Sequence, residues 1–585
     1  MKKTKKFLAL LLGLMMMLTM SVTAFADGED QPAAEDAYKT APHTITITNA
    51  DPAKKHVYEA YQVFSGKYET DGSLSLLTWG SGVKGDALLT ELKSGENTPA
   101  NIKAAFANDE NPAHVAKTLS DNQSDKAFVD AFAAIVGKHL DAVAATSKEE
   151  KSDYKLEVTG DGYYFVKDQD GSVTEKGESY TKYMLKVIQD ETIEAKDDHL
   201  TVEKNIIEGE GENEKKVKDN AVAIGDLIKY EVSAPMPEMD GYIKYFFQMN
   251  DTMQKGLEFQ NIESIKIIDK DGEELKTLAE DTDYTETNTV ENDITKLQIT
   301  YKNFIQYKGE AYKGAHLVVR YIAKLTEKAE IVKSNDNTVS YKYSNKPDYD
   351  GEGDPDNPDY PGPQGETPND EVHTWVTKLQ LLKTGDNGTV EALEGAEFKL
   401  SGDDLNVVLK KGTEFVENEN GTYYELKNGS FTTTPPTSDT EDQYKDKDKK
   451  FEKKEYNNVK TEVGDSKEVT LTTGADGIIS FTGLKPGTYK LEETKAPNGY
   501  NKAPDIEFEI KWTKENGFSV ENKTDDSHVE YDAANFTFKV TVDDKSGSTL
   551  PSTGGMGTKI FYVLGSLLAI GAAVMLISKR RVSVK

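Results

Sequence analysis

The chain of 585 residues contains no cysteine, and its eight histidines are scattered. The absence of cysteine excludes disulfide bonds as covalent constraints, so either the cores suffice alone or another crosslink replaces the disulfide. No HExxH pattern, paired metal-ligand spacing or GxxxxGK[ST] phosphate loop occurs in the sequence. These absences predict a protein without a metal site or cofactor.

Positive charge is scarce, because 70 Lys and Arg face 102 Asp and Glu, for a net charge of −32. Nine of the basic residues lie before Ala26 or after Gly554, where no acidic residue occurs, so the body between them carries −41. A body this acidic does not attract nucleic acid or an anionic membrane. Paired carboxylates are so frequent at this acidity that they do not indicate a glycosidase.

The N-terminus has the pattern of a secretory signal. Four lysines precede an apolar run from Phe7 to Met17, and Ala24-Phe25-Ala26 then places small residues where a signal peptidase cuts. The sequence therefore predicts a signal peptide over residues 1–26 and a mature chain that begins at Asp27. The apolar run is short for a membrane span, which disfavours a transmembrane helix here.

The C-terminus combines a short motif, an apolar run and a basic tail. The motif is Leu550-Pro551-Ser552-Thr553-Gly554. The run from Ile560 to Ile577 has about the minimum length of a membrane-spanning helix, and the basic residues after it fit the positive-inside rule. We therefore predict a transmembrane helix over 558–578 and a cytoplasmic tail over 579–585.

This order of elements resembles the cell-wall sorting signal of Gram-positive surface proteins, whose motif is LPxTG. The resemblance implies that a sortase cuts between Thr553 and Gly554, holds the threonyl carbonyl as a thioester and passes it to an amine. It also implies an exported protein that is anchored only transiently in the membrane before it reaches the cell wall surface.

Between the two ends, about 530 residues suggest three or four domains. Residues 27–196 alternate like strands at both ends and show helical spacing around 127–136, with Ser124 or Asp125 as N-cap. Residues 197–347 show short strands separated by turns, which favours a β-sandwich. Residues 348–372, rich in Asp, Pro and Gly, indicate a linker. Residues 373–546 predict a third strand-rich domain, with an exposed polar insertion from about 428 to 460.

The most specific internal motif lies between Gly477 and Tyr500. Strand alternation places Tyr489, Leu491 and Glu493 on one face, so a carboxylate lies on the apolar side of a sheet. Such a buried charge is costly and demands a partner or a raised pKa. The stretch also matches YxLxETxAPxGY, the E-box signature of CnaB-type domains. The chain thus resembles the sortase-assembled pilins of Gram-positive bacteria, in particular the SpaA-type major shaft pilins.

In that family the E-box glutamate promotes an isopeptide bond between a first-strand lysine and a last-strand Asn or Asp. The resemblance therefore implies Glu493 as the promoting acid, Lys383 as the nucleophile and Asp544 as the acceptor. Lys378 is a competing lysine and Asn535 a competing acceptor. A buried ion pair without a covalent bond is the alternative interpretation.

Residues 197–347 resemble the CnaA-type middle domain of shaft pilins in three segments, which contain Lys204, Asp251 and Asn345. The resemblance implies that Lys204 is the nucleophile, Asp251 the promoting acid and Asn345 the acceptor of a second isopeptide bond. Asn337 is a competing acceptor. The predicted fold is mostly β, with tandem Ig-like sandwich domains of CnaA and CnaB type and some helix in the N-terminal domain.

A shaft pilin also needs an exposed lysine that receives the threonyl carbonyl of the next subunit. Relatives place it in a YPK motif before the middle domain, and Lys196 occupies the matching position here without the preceding Tyr-Pro. Lys182 and Lys186 are rival candidates.

The resemblance implies a structural major pilin, polymerised through Thr553 and a pilin lysine, and not an enzyme beyond its own single-turnover crosslinking. The implied partners are pilus-specific and housekeeping sortases, further copies of the chain, minor pilins, peptidoglycan and host surface ligands. The main alternative is a monomeric wall-anchored adhesin that binds a host ligand. A tip or basal pilin is the less favoured alternative, and the chain has no proline-rich tail of the kind that a basal pilin carries.

Overall fold

The computed structural model describes residues 42–48, 56–69, 73–148, 153–194, 199–347, 349, 351–402, 405–427, 431–525, 528–547 and 564–575. The predicted signal peptide with its cleavage site at Ala26 and Asp27, Lys196 and the sorting motif lie outside these residues. Of the predicted transmembrane segment, residues 564–575 are described and are helical. Within the described ranges, no helix combines the length and the hydropathy that a membrane span requires.

The N-terminal domain packs four helices against one of its two sheets. Its elements are β1 Pro42–Thr48, β2 Tyr58–Tyr68, β3 Leu74–Trp79, α1 Gly85–Ser94, α2 Ala100–Phe106, α3 Pro112–Asp121, α4 Lys126–Lys138, β4 Ala145–Thr146, β5 Tyr154–Thr159, β6 Gly162–Asp168, β7 Lys182–Val187 and β8 Glu191–Glu194. One sheet has the order β5-β1-β8 and the other β3-β2-β6-β7, with β4 beside β2. Phe64, Phe106 and Phe132 are buried between the helices and the second sheet.

The predicted helical start in this domain is confirmed. Asp125 is the N-cap of α4, and its carboxylate accepts a hydrogen bond of 3.1 Å from the Phe128 backbone N–H. This bond satisfies one of the amide groups that a helix leaves unpaired at its first turn. The mixed strand and helix pattern of the sequence therefore agrees with the structure.

The middle domain is a sandwich of two mainly antiparallel sheets, as predicted. Its strands are β9 Glu203–Glu208, β10 Lys215–Val217, β11 Asp219–Ala221, β12 Leu227–Pro235, β13 Phe247–Met253, β14 Leu257–Ile268, β15 Glu274–Thr277, β16 Tyr284–Glu291, β17 Ile294–Tyr301, β18 His316–Leu325, β19 Asn335–Ser344, β20 Gln364–Glu366 and β21 Asp370–Trp375. The sheet orders are β10-β9-β12-β18-β14-β15 and β11-β21-β19-β13-β17-β16, with β20 beside β19. Alternate residues of β18 are buried, which gives this sheet one apolar face.

The predicted linker over 348–372 is wrong, because much of it belongs to the middle domain. β20 and β21 both pair with β19, and Val372 is fully buried. Tyr360 is buried and stacks on Phe246, with ring centroids 5.3 Å apart. The segment has few aliphatic residues, so its composition hid the fact that backbone pairing and a few apolar side chains attach it to the sheet.

The C-terminal domain is built from one hydrogen-bonded series of strands and a separate two-stranded sheet. Its strands are β22 Thr377–Gly385, β23 Glu397–Ser401, β24 Val407–Glu417, β25 Tyr424–Glu425, β26 Phe431–Thr432, β27 Phe451–Glu462, β28 Glu468–Thr472, β29 Ile478–Leu484, β30 Gly487–Lys495, β31 Tyr500–Asn501, β32 Ile506–Thr513, β33 Gly517–Asn522, β34 Glu530–Asp532 and β35 Thr537–Ser546. The separate sheet consists of β25 and β26. The first and last long strands, β22 and β35, are parallel neighbours. The end of the predicted exposed insertion is instead β27, which pairs with β24 along its length.

A buried charged cluster lies where the N-terminal domain meets the middle domain. His56 Nδ1 hydrogen-bonds Asp168 Oδ1 at 2.7 Å, and its Nε2 lies 3.6 Å from Glu178 Oε2. Tyr343 of the middle domain donates its hydroxyl to the backbone carbonyl of Glu178 at 2.9 Å. The charge on His56 therefore compensates two buried carboxylates beside the domain junction.

We expect the stability of this junction to decrease at alkaline pH. Burial lowers the pKa of His56, but its hydrogen bonds to Asp168 and Glu178 outweigh burial and raise the pKa to about 9. Because this folded-state pKa exceeds the unfolded value of about 6.5, the contribution of His56 is complete below about pH 6.5 and is lost as the pH rises through about 9. Thermal unfolding of the secreted chain across this range measures the loss. His56→Gln should remove that part of the pH dependence, and an unchanged pH dependence in this variant would contradict the assignment.

Candidate crosslinking sites

In the middle domain, a lysine and an aspartate meet between the two sheets. Lys204 comes from β9 and Asp251 from β13, and both side chains are fully buried. Lys204 Nζ donates to Asp251 Oδ2 and also to the hydroxyl of Tyr321, the latter at 2.5 Å. The two residues that the sequence predicts as nucleophile and promoting acid are therefore in direct contact.

Burial moves both groups of this pair toward their neutral forms. Burial lowers the pKa of Lys204 although the Asp251 carboxylate opposes the change, and burial raises the pKa of Asp251 although Lys204 opposes it. A neutral amine and a protonated carboxylic acid avoid the cost of placing two charges in a dry core. The site thus favours an amine that carries a free lone pair.

The structure brings Asn337, and not Asn345, to this pair. Asn337 is fully buried, and its Nδ2 donates to the Tyr321 hydroxyl at 2.9 Å. Val339 pairs with Asp251 across the two strands, and Asn337 lies two residues before Val339. The side chains of Asn337 and Asp251 therefore lie on the same face of the sheet. Asn345 lies beyond the end of β19. It is six residues from Val339, which at the rise per residue of a β-strand corresponds to about 20 Å. Of the two predicted acceptors, the competing one, Asn337, is therefore the one that lies at the site.

In the C-terminal domain, the three predicted residues lie together. Lys383 of β22, Glu493 of β30 and Asp544 of β35 all have fully buried side chains. Lys383 Nζ contacts Asp544 Oδ1 and lies 3.6 Å from Glu493 Oε1. The parallel register that places Gly385 opposite Asp544 sets the last strand beside the lysine.

The environment of Glu493 makes it a weak acid. Burial raises its pKa to about 7, although a hydrogen bond of 2.6 Å from the Ala503 backbone N–H and the charge of Lys383 oppose this change. The buried carboxylate on the apolar face is thus partnered and has a raised pKa, as the strand alternation predicts. A carboxyl with this pKa exchanges its proton near neutral pH.

The rival residues of this domain are not at the site. Lys378 is half-buried on β22 and pairs with Thr537, and strand alternation places it on the face opposite to that of Lys383. Asn535 is exposed, and its Nδ2 donates to Asp532 at 2.8 Å. Neither contacts the buried trio, whereas Lys383 and Asp544 lie in direct contact.

The two rival candidates for the pilin lysine lie in the described part of the chain. Lys182 and Lys186 lie on β7 and are half-buried. Among the residues that the structure describes, no group of three or more His, Asp or Glu is arranged to hold a metal ion.

Three family models match the chain. The Gram-positive pilin backbone subunit 2, Cna-B-like domain matches residues 224–347, the SpaA prealbumin-like fold domain matches 439–528, and the LPXTG cell wall anchor motif matches 542–584. The middle domain is thus described as Cna-B-like, where the sequence resemblance predicted a CnaA-type domain. A comparison with curated proteins gives no match.

Solved structures of major pilins are similar to this chain. The T6 backbone pilin of Streptococcus pyogenes is 15% identical, with 87% of this chain and 99% of that chain covered and a TM-score of 0.49. The major pilin SpaD of Corynebacterium diphtheriae is 15% identical, with 87% and 98% covered and a TM-score of 0.43. The fimbrial protein FimP of an oral Actinomyces is 16% identical, with 88% and 100% covered and a TM-score of 0.42.

The anchor motif and the pilin domains define the class of protein. The chain is a cell-wall-anchored surface protein of a Gram-positive bacterium, with a structural rather than an enzymatic role. More particularly, its body carries the SpaA and pilin backbone domains of Gram-positive pilins.

Proposed function

We propose that this protein is the major shaft subunit of a sortase-assembled pilus whose domains are locked by intramolecular isopeptide bonds. The observation that carries the proposal is that two domains each contain a fully buried lysine beside an acid and an Asn or Asp from a late strand. Buried lysines are rare in soluble proteins, and two such sites in one chain without cysteine fit a replacement for disulfide bonds.

In the middle domain, the neutral amine of Lys204 attacks the side-chain carbonyl carbon of Asn337. A C–N bond forms to Lys204 Nζ, the bond from that carbon to Asn337 Nδ2 breaks, and ammonia leaves. Within the described residues, Asp251 Oδ1 and Asn337 Oδ1 are buried without a hydrogen-bond partner. A proton on Asp251 would stabilise the oxyanion that develops on the acceptor oxygen, and the folded core supplies the proximity.

The C-terminal reaction differs in its leaving group. Lys383 attacks the carboxyl carbon of Asp544, and the acceptor loses one oxygen as water. The raised pKa of Glu493 lets it hold the proton that this oxygen needs in order to leave. Each bond forms once per chain, so this chemistry is maturation and not turnover.

The positions of these bonds suit a protein under tension. β22 and β35 are neighbours although they begin and end the C-terminal domain. A bond between Lys383 and Asp544 would carry a pulling force directly across the two strands. The chain between the two residues could not then extend, and the domain would resist both force and proteolysis.

Polymerisation would join the threonyl carbonyl of Thr553 to Lys196 of the next copy. A pilus-specific sortase would catalyse each addition, minor pilins would enter by the same chemistry, and a housekeeping sortase would pass the finished polymer to peptidoglycan. Surface attachment is the expected role, with host surface ligands as further partners. Lys196 follows β8, an edge strand of its sheet.

We expect Lys196→Ala to abolish the polymer ladder. Boiled cell-wall extracts of a strain with the unaltered chain should show covalent polymers on a denaturing gel, and Lys196→Ala should leave monomer because no amine receives the threonyl carbonyl. Lys182→Ala and Lys186→Ala are the matched controls and should retain the ladder. A ladder that persists in Lys196→Ala contradicts the donor assignment. The absence of polymers from the unaltered strain contradicts the shaft role and favours a monomeric adhesin.

A further inference from the structure

The hydroxyl of Tyr321 touches every reacting group of the middle-domain site. It accepts from Lys204 Nζ at 2.5 Å and from Asn337 Nδ2 at 2.9 Å, and it donates to Asp251 Oδ2 at 2.7 Å. The side chain is fully buried on β18. The one hydroxyl oxygen thus lies within hydrogen-bond distance of both the attacking nitrogen and the departing nitrogen.

Packing fixes this hydroxyl in place. Tyr321 pairs with Tyr230 across β12 and β18, and the two rings stack with centroids 5.2 Å apart. Lys204 Nζ lies 5.1 Å from the centroid of each ring. Burial raises the pKa of Tyr321 well above its usual range, so the phenol stays protonated and can both donate and accept. The C-terminal site is built differently, since Lys383 Nζ lies near carboxylates, a backbone carbonyl and a phenylalanine ring among the described residues.

The crosslinking reaction creates a proton-transfer problem at this position. Attack by Lys204 Nζ on the side-chain carbon of Asn337 leaves an extra proton on Nζ, while Asn337 Nδ2 must gain a proton before it can leave as ammonia. The amine and the amide nitrogen both hydrogen-bond Tyr321 and not each other in the described contacts. A hydroxyl that contacts both nitrogens is placed to move the proton between them.

We propose that Tyr321 is a catalytic residue of the middle-domain crosslink, which relays a proton from Lys204 Nζ to Asn337 Nδ2. The hydroxyl gives its own proton to Nδ2 and takes one from Nζ, so the phenol is restored when ammonia leaves. One C–N bond forms to Lys204 Nζ and one C–N bond to Asn337 Nδ2 breaks, so the reaction needs no oxidant or other reactant. Asp251 remains available to stabilise the acceptor oxygen. This inference rests on the proposed isopeptide chemistry and adds a third participant to it.

The test measures the rate of crosslinking in Tyr321→Phe and compares it with the rate in a control variant that loses a different buried hydroxyl. Tyr341→Phe is the control, because Tyr341 lies in the same core on β19 and its hydroxyl contacts Tyr301 at 3.4 Å. The full secreted chain is made by pulsed cell-free synthesis, and peptide mapping by mass measures both crosslinks over time. General acid–base catalysis accelerates reactions by about 10²–10⁴-fold, so Tyr321→Phe should slow the loss of ammonia by about 100-fold or more. Tyr341→Phe should match the unaltered chain.

The rate at which the C-terminal crosslink forms is the internal reference. This crosslink should form at the normal rate in Tyr321→Phe, which separates a chemical effect from slow folding. If Tyr321→Phe fails to fold, a fluorinated tyrosine placed at position 321 keeps the shape and lowers the phenol pKa, and the pH–rate profile of the middle crosslink should move to lower pH. An unchanged rate in Tyr321→Phe, or an unmoved profile with the fluorinated residue, overturns the relay. Absence of the middle crosslink from the unaltered chain instead overturns the isopeptide proposal itself, and the relay with it.

Discussion

Glu493→Gln is expected to yield a folded C-terminal domain without its crosslink. Glutamine has the same shape and can still accept the hydrogen bond from the Ala503 N–H, but it cannot exchange a proton with Asp544. Lys383 and Asp544 should then remain a buried ion pair, and the chain should keep the water that the unaltered chain loses. Intact mass measurement and peptide mapping detect this difference directly.

The loss of stability should be large. By analogy with a disulfide, a covalent link that closes a loop of 100 residues stabilises a domain by about 4.7 kcal/mol, and the link from β22 to β35 closes a longer loop. The thermal midpoint of the C-terminal domain should therefore fall markedly in Glu493→Gln. Glu492→Gln is the matched control, since Glu492 is the neighbouring residue on β30 and pairs with Lys399 at 3.1 Å outside the site. If Glu493→Gln still loses water, the acid has no part in the reaction.

The second large effect is expected at Asn337. Asn337→Ala removes the acceptor carbonyl, so the branched peptide that joins the segments of Lys204 and Asn337 should disappear and the middle domain should lose stability by a similar amount, about 4–5 kcal/mol. The loss arises because the first strand of this domain is then no longer tied to a late one. Protease digestion followed by mass analysis gives the readout.

Asn345→Ala provides the comparison for this experiment. Asn345 carries a backbone carbonyl that accepts from the Tyr180 N–H at 2.9 Å, an interaction that alanine retains. The branched peptide should therefore persist in Asn345→Ala. A branch that maps to Asn345 in the unaltered chain would restore the residue that the sequence resemblance implied and would contradict the geometric assignment.

These two acceptors show what a sequence can and cannot define at such a site. Strand alternation was sufficient to place Glu493 on a buried face, because that inference needs only local periodicity. The choice between Asn337 and Asn345 depends on which residue of β19 lies near Asp251. Register between strands that are distant in sequence is set by packing across the whole sandwich, so spacing along the chain cannot supply it.

Tyr321 and the segment before β22 illustrate two other limits. Tyr321 is one of 29 tyrosines, and nothing in its neighbourhood separates it from residues that only fill a core. Its role emerges when β18 places the hydroxyl between two nitrogens. Composition predicts a linker up to residue 372, yet β20 and β21 pair with β19, because backbone hydrogen bonds do not require an aliphatic sequence.

The C-terminal domain and the wall anchor could be predicted because the E-box and the LPSTG motif are specific, whereas the middle domain, predicted to be CnaA-type, matches a Cna-B-like family model. The pilin lysine is less well defined by the sequence, because Lys196 occupies the matching position without the expected Tyr-Pro before it. Its assignment depends on the polymer ladder and not on geometry, since the residue lies outside the described part of the chain.

The intact mass of the secreted, unpolymerised chain is the most direct test of covalently locked pilin domains. We predict a mass below that calculated from the residues of the mature chain by one ammonia and one water, with branched peptides that join Lys204 to Asn337 and Lys383 to Asp544. A mass equal to that calculated from the residues of the mature chain would contradict both crosslinks and would leave two buried, non-covalent contacts between lysine and acid in their place.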